Sequence, residues 1–196
     1  MTSDVNRADS FDDWADRDTA ESYLPEAEIR LLDRDLRILI ACNGTLTRTL
    51  GIVADEEIVV DIVDQQFCGD SPWLPESDAQ LRGRVLQRRV FLKGRSSGEA
   101  LVAAESLVAV DLLPPAIATR LMNTDHPIGE VMAASSLESF KEAAEVWSGP
   151  PPAWLEAAGY QHPEPEIVGR RYRVITGGQP AVVITEYFLR PSRDAC

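Results

Sequence analysis

Gly169-Arg-Arg-Tyr-Arg-Val-Ile-Thr-Gly177-Gly178-Gln-Pro-Ala-Val-Val-Ile-Thr-Glu186-Tyr-Phe-Leu-Arg190 sets the architecture expected of the chain. Two runs of β-forming residues flank a Gly-Gly-Gln-Pro connection, the composition of a tight hairpin turn. The second run, Ala181 to Leu189, is apolar on both parities, as in a strand covered on both faces. One carboxylate, Glu186, interrupts it and shares a parity with Val182, Ile184 and Phe188. A lone acid in that position must be neutralised, paired or used.

Outward from this hairpin, short turns and strand-like runs dominate. Arg84–Lys93 and Glu99–Asp111, joined through Gly-Arg-Ser-Ser-Gly, read as a second hairpin, and Glu57–Gln66 as a further strand. Thr45–Val53 also reads as strand-like. Ile29, Leu32, Leu36, Leu39 and Ile40 follow a 3-then-4 spacing, which predicts one amphipathic helix from Pro25 to the stop at Asn43-Gly44. Pro114-Pro115 opens a short helix through Met122, and Pro127-Ile-Gly129 opens another element through Ser135. Residues 136–160 read as helical on both sides of the Pro150-Pro-Pro break, with Phe140 and Trp147 in the core. Residues 67–83, rich in Gly, Pro, Ser and Asp, read as a loop. Residues 1–24 read as an acidic mobile tail in which Phe11, Trp14 and Tyr23 could still dock. No repeat occurs. Together these elements predict one α+β domain, an antiparallel sheet packed on helices.

A chain of 196 residues suits a single core, and its 44% apolar and 26% charged shares are ordinary for a globular protein. The net charge of −13 argues against nucleic acid or an anionic membrane as the main partner. No apolar run approaches the ~20 residues of a membrane helix, and no signal-peptide plan is visible. A cytoplasmic protein, monomeric or a small homo-oligomer, is expected. Cys42, Cys68 and Cys196 are odd in number and widely spaced, supporting neither disulfides nor zinc. His126 and His162 each stand beside a proline without a metal-ligand neighbour at the usual spacing, so no metal is expected. Nucleophile-elbow, P-loop and dinucleotide motifs are absent from the sequence, and no cofactor is expected.

What remains is charge set into apolar strands. In Val85-Leu-Gln-Arg-Arg-Val-Phe-Leu92, alternation groups Arg88 with Leu86, Val90 and Leu92. Arg88 is either paired with a structural carboxylate or it grips a ligand carboxylate, which guanidinium geometry favours. Glu186 poses the same choice. It could neutralise Arg88, Arg171 or Arg173, or it could serve as a desolvated proton acceptor. Glu105 reads as a structural partner. The Arg170–Arg173 run reads as a solvated strand face, with one arginine available to rim an anion pocket.

These residues resemble the chorismate pyruvate-lyases (4-hydroxybenzoate synthases), in particular their actinobacterial branch. The resemblance rests on Gly169–Leu189, on Val85-Leu-Gln-Arg88 through Phe-Leu-Lys-Gly-Arg95, on His126-Pro-Ile-Gly-Glu-Val-Met132, and on Arg34-Asp-Leu-Arg-Ile-Leu-Ile-Ala-Cys-Asn-Gly-Thr-Leu-Thr-Arg48. It covers roughly residues 25–190. It implies a chorismate-lyase-like domain over 25–191, with a six-stranded antiparallel sheet, helices on one side and a ligand buried beneath flaps. It implies cofactor-independent elimination of pyruvate from chorismate to give 4-hydroxybenzoate. By resemblance, the ligand-carboxylate arginine falls on Arg88 and the group that meets the product's 4-hydroxyl on Glu186. The backbone amide falls on Ile128, and the pocket-covering side chain, methionine in another branch, on Leu46. Glu105 stands where the ubiquinone-pathway branch has an arginine beside the pocket. Two other readings stay open at this level. One is a lyase for a related cyclohexadiene such as aminodeoxychorismate. The other is a non-catalytic aromatic-acid sensor, for which the residues before the first helix are too few and too acidic to supply a DNA-binding helix-turn-helix.

Overall fold

A computed structural model describes residues 22–68, 81–161 and 163–189. The tail expected over 1–24, most of the 67–83 loop, His162 and Cys196 therefore lie largely or wholly outside the described residues.

The strands are β1 (Ser22–Tyr23), β2 (Ile58–Cys68), β3 (Val85–Gly94), β4 (Ala100–Ala109), β5 (Ser139–Lys141), β6 (Glu145–Gly149), β7 (Ile167–Thr176) and β8 (Gln179–Phe188). They form one antiparallel sheet in the order β1-β6-β7-β8-β4-β3-β2, with β5 also paired to β7. The sheet has eight strands, not the six implied by the resemblance. The additions are short: β1 has two residues and β5 three.

The C-terminal hairpin forms as expected. Gly177 and Gly178 alone link β7 to β8, with φ of 56° and 75°, the double left-handed turn for which glycine is suited. Both faces of β8 are buried, and it lies between β7 and β4 in the middle of the sheet.

Helices α1 (Glu26–Ile29), α2 (Arg34–Ile40), α3 (Leu46–Ala54), α4 (Pro115–Asn123), α5 (Ile128–Ala133) and α6 (Ala153–Ala157) complete the chain. Three expectations are corrected here. The single helix over 25–43 is two helices, because the Asp33 side chain accepts the Asp35 backbone N–H and starts a new helix at Arg34. Thr45–Val53 is helix α3 rather than a strand; the β-branched Thr and Val residues disguised a helical spacing that buries Leu46, Thr47 and Leu50 on one face. Residues 139–149 form β5 and β6 instead of helix, since the open edge of β7 supplies backbone partners that outweigh local alanine propensity. Trp147 is core, but Phe140 is 60% exposed on the outer side of β5.

The sheet buries apolar residues on both faces. On one, α2 and α3 cover Val90, Leu92, Val102 and Phe188, while α4 and α5 cover Leu86, Val108, Val182 and Tyr172. These two clusters lie at opposite ends of that face. On the reverse, Trp154 and Leu155 of α6 pack with Phe91, Ala103 and Tyr187, so the helices are not confined to one side.

Candidate active site

Between the two helix pairs the sheet face turns polar. Arg88 of β3, Ala104 and Ser106 of β4 and Glu186 of β8 point into the same cavity, of about 70 Å³. The register pairs Arg88 with Ser106 and Glu186 with Ala104. The two charged residues therefore stand on either side of β4, roughly 10 Å apart across the sheet and ~7 Å along it. The small side chains of Ala104 and Ser106 form the floor between them. Leu46 and Thr45, at the start of α3, and Pro127, Ile128 and Gly129, at the start of α5, close the cavity from above. All four residues implied by the resemblance, Arg88, Glu186, Ile128 and Leu46, line this one cavity.

Arg88 is 2% exposed. Its Nη1 donates to the His126 carbonyl at 3.0 Å, which ties β3 to the turn carrying Ile128. Its Nε and Nη2 are buried without a hydrogen-bond partner, and among the described residues it makes no salt bridge. Burial pushes its guanidinium below the usual arginine range, and Asp125 opposes that shift. Ile128 is the first residue of α5, where a backbone N–H has no intrahelical acceptor.

Glu186 is held differently. Its Oε2 accepts from Arg170 Nε and its Oε1 from the Tyr172 hydroxyl at 3.0 Å. Its partner is thus Arg170, which is not one of the candidates Arg88, Arg171 and Arg173. A register counted back from the two-residue turn without interruption would set Gly169 opposite Glu186 and turn Arg171 and Arg173 to its face. A shift between Val174 and Ile175 instead pairs Arg170 with Glu186. Arg170 and Tyr172 then face the cavity side, and Arg171 goes to the reverse face, donating to Thr185 at 3.2 Å. The Arg170–Arg173 run is not a solvated face: Arg170, Arg171 and Tyr172 are all buried. Arg170 Nη1 also donates to the carbonyls of Leu39 (2.7 Å), Ile40 (2.7 Å) and Cys42 (3.0 Å), capping the end of α2. The Tyr172 hydroxyl is pushed well above its ordinary pKa, first by burial and then by the Glu186 charge. It stays a donor.

Lys141 of β5 also lines the cavity, and no sequence argument singled it out. Reading 136–160 as helix concealed the alternation that turns it inward. One signal was available: this arginine-rich chain has two lysines, Lys93 and Lys141.

Glu105 belongs elsewhere. It lies on the reverse face, accepting from Arg89 Nε at 2.7 Å and Gln87 Nε2 at 2.9 Å. It is a structural partner. His126 is half-exposed beside Asp125, and among the described residues no group of three or more His, Cys, Asp or Glu side chains could hold a metal ion. No helix among the described residues is long and apolar enough to cross a membrane.

A wider cleft of about 770 Å³ adjoins the cavity, and Thr45, Thr47, Val60 and Pro127 line both. These four residues form the partition between the inner cavity and the outer surface.

The chain matches the model of the chorismate pyruvate-lyase Rv2949c-like family over residues 40–192. It belongs to that family. Its relatives include the chorismate pyruvate-lyase of Mycobacterium leprae, 58% identical over 85% of this chain and 80% of that protein. The chorismate pyruvate-lyase of Mycobacterium tuberculosis (strain CDC 1551 / Oshkosh) is 58% identical over 89% of this chain and 90% of the relative. Among solved structures, the effector domain of PhnF from Mycobacterium smegmatis superposes with a TM-score of 0.53 at 11% identity, over 76% of this chain and 90% of that one. The gene product SA0254 of Staphylococcus aureus gives 0.52 at 11% identity, over 75% and 88%. At such identities these two share the fold alone.

Proposed function

We propose that this member of the chorismate pyruvate-lyase family eliminates pyruvate from chorismate to give 4-hydroxybenzoate, with Arg88 and Glu186 holding opposite ends of the ring. The observation that carries the assignment of ends is Arg88. It is a buried guanidinium with two nitrogens unpaired and no carboxylate partner among the described residues. A carboxylate can take both in a two-pronged grip and at the same time compensate the buried positive charge.

Chorismate carries a ring carboxylate, an enolpyruvyl ether and, para to the carboxylate, a hydroxyl. The proton on the hydroxyl-bearing carbon leaves, its electron pair forms the ring double bond, and the ether C–O bond breaks towards oxygen. The released enolate is protonated on carbon to pyruvate, and the ring becomes aromatic. Aromatisation drives the step, so orientation and one proton transfer are what the protein contributes. Arg88 anchors the ring carboxylate, the Ile128 amide adds a hydrogen bond, and Leu46 covers the ring. Glu186, held by Arg170 and aimed by Tyr172, meets the 4-hydroxyl and takes the proton.

Incubating the protein with chorismate, without added metal or nucleotide, should release pyruvate and 4-hydroxybenzoate in equal amounts. Arg88→Met should raise KM and lower kcat, reducing kcat/KM by about 2–4 kcal/mol, roughly 30- to 1000-fold. No product from the wild type would overturn the activity. Near-wild-type kinetics of the variant would overturn the anchoring role alone.

A further inference from the structure

Resting on that reading, we propose that Lys141 is a second substrate-binding residue, taking the enolpyruvyl carboxylate while Arg88 takes the ring carboxylate. The charges around the cavity support this. Among the described residues its charged liners are Arg88, Lys141 and Glu186. Glu186 is already neutralised by the buried guanidinium of Arg170. Two cations are then left uncompensated, and neither has a carboxylate partner among the described residues. A monocarboxylate would match only one of them. The substrate of the proposed reaction is a dianion and matches both.

The position of Lys141 fits the second carboxylate rather than the first. Its Nζ lies 4.8 Å over the Tyr172 ring, and Tyr172 donates to Glu186. Lys141 therefore stands at the Glu186 end of the cavity. In chorismate the enolpyruvyl ether is on the ring carbon next to the one bearing the hydroxyl, so a hydroxyl at Glu186 brings the side chain to the same end. Lys141 Nζ donates to the Gly44 carbonyl at 2.6 Å, which occupies one of its three N–H bonds and aims the ammonium from the α2–α3 connection. Burial lowers its pKa and nearby Glu186 offsets part of that shift, so a second anion beside it relieves an existing electrostatic cost. The product 4-hydroxybenzoate has no second carboxylate. Lys141 thus distinguishes substrate from product, and contact with it ends when pyruvate departs.

The test is a split between substrate and product in Lys141→Met and Lys141→Arg. Methionine keeps the length and apolar stem, and arginine restores the charge. K141M should raise the KM for chorismate about 10- to 100-fold, the effect of losing one charge-assisted contact. Its Kd for 4-hydroxybenzoate, measured by calorimetry, should stay within about threefold of wild type, and K141R should recover most of the chorismate affinity. A parallel loss of chorismate and 4-hydroxybenzoate affinity would mean that Lys141 only props the cavity, and would overturn the assignment. So would an unchanged chorismate KM in K141M. A wild-type protein that neither consumes chorismate nor binds 4-hydroxybenzoate would overturn the proposed function together with this one, a result that the first two outcomes cannot imitate.

Discussion

Glu186 and Arg88 are both buried, yet their surroundings differ. Arg88 spends one nitrogen on a backbone carbonyl and keeps two unpaired, as a ligand-binding group would. Glu186 is held at both oxygens by Arg170 and Tyr172, which fixes its rotamer. For Glu186→Gln, the amide oxygen can still accept from Arg170 Nε while its NH2 donates to the Tyr172 oxygen, so the fold should survive at reduced stability while proton transfer is lost. We expect kcat to fall about 10²- to 10⁴-fold with a smaller change in KM. Full turnover to the same products in a steady-state assay would show that Glu186 orients the substrate without acting as its base. At this scale the sequence was only half legible. A carboxylate and an arginine in apolar strands could be recognised by parity, but the partner of Glu186 could not. One register shift between Val174 and Ile175 moves Arg170 to its face and Arg171 to the other, and no residue in β7 announces it. Lys141 was hidden by a different error, the assignment of its segment to helix.

Among the elements, the β7–β8 hairpin was the most legible, because two glycines between β-rich runs leave the backbone little choice. The β6–β7 pair shows the reverse case. Gly169 faces the Trp147 ring so closely that a Cβ there would lie 2.4 Å from it. Trp147 is 2% exposed and packs edge-on to Tyr187, so the ring has nowhere to retreat. Gly169→Ala should destabilise the protein by about 1–3 kcal/mol through overpacking, measured as a shift in urea midpoint. A variant as stable as wild type would show that the tryptophan can shift within its cluster. In sequence Gly169 marked only the start of a strand. Its role appears once β6 exists, and β6 was not foreseen because Ala143, Ala144 and Glu145 favour helix locally. Helix α3 was misread for the complementary reason. Alternating Thr and Leu imitate a strand, and the burial of Leu46 and Leu50 against the sheet decides for a helix.

At the scale of the molecule, the cavity exists because two helix pairs settle on opposite ends of one sheet face and leave its middle to polar residues. Arg170 joins these parts: it neutralises Glu186 and caps α2 through carbonyls some 130 residues away. Arg170→Met would leave a buried carboxylate uncompensated and three carbonyls without their donor. A loss of about 3–5 kcal/mol in urea unfolding is expected, a large fraction of a typical domain's stability. A loss below about 1 kcal/mol would remove the strut role. The α+β class, the two long hairpins and, through motif resemblance, the family and four residues of the cavity are legible in the order of the amino acids. Those properties depend on turn chemistry and side-chain alternation, which act over a few neighbouring residues. The eight-stranded sheet, the Arg170–Glu186 pair and the place of Lys141 emerge only in the folded chain. Each depends on which backbone edge is left open and on a one-residue register, and these are settled by packing across more than a hundred residues.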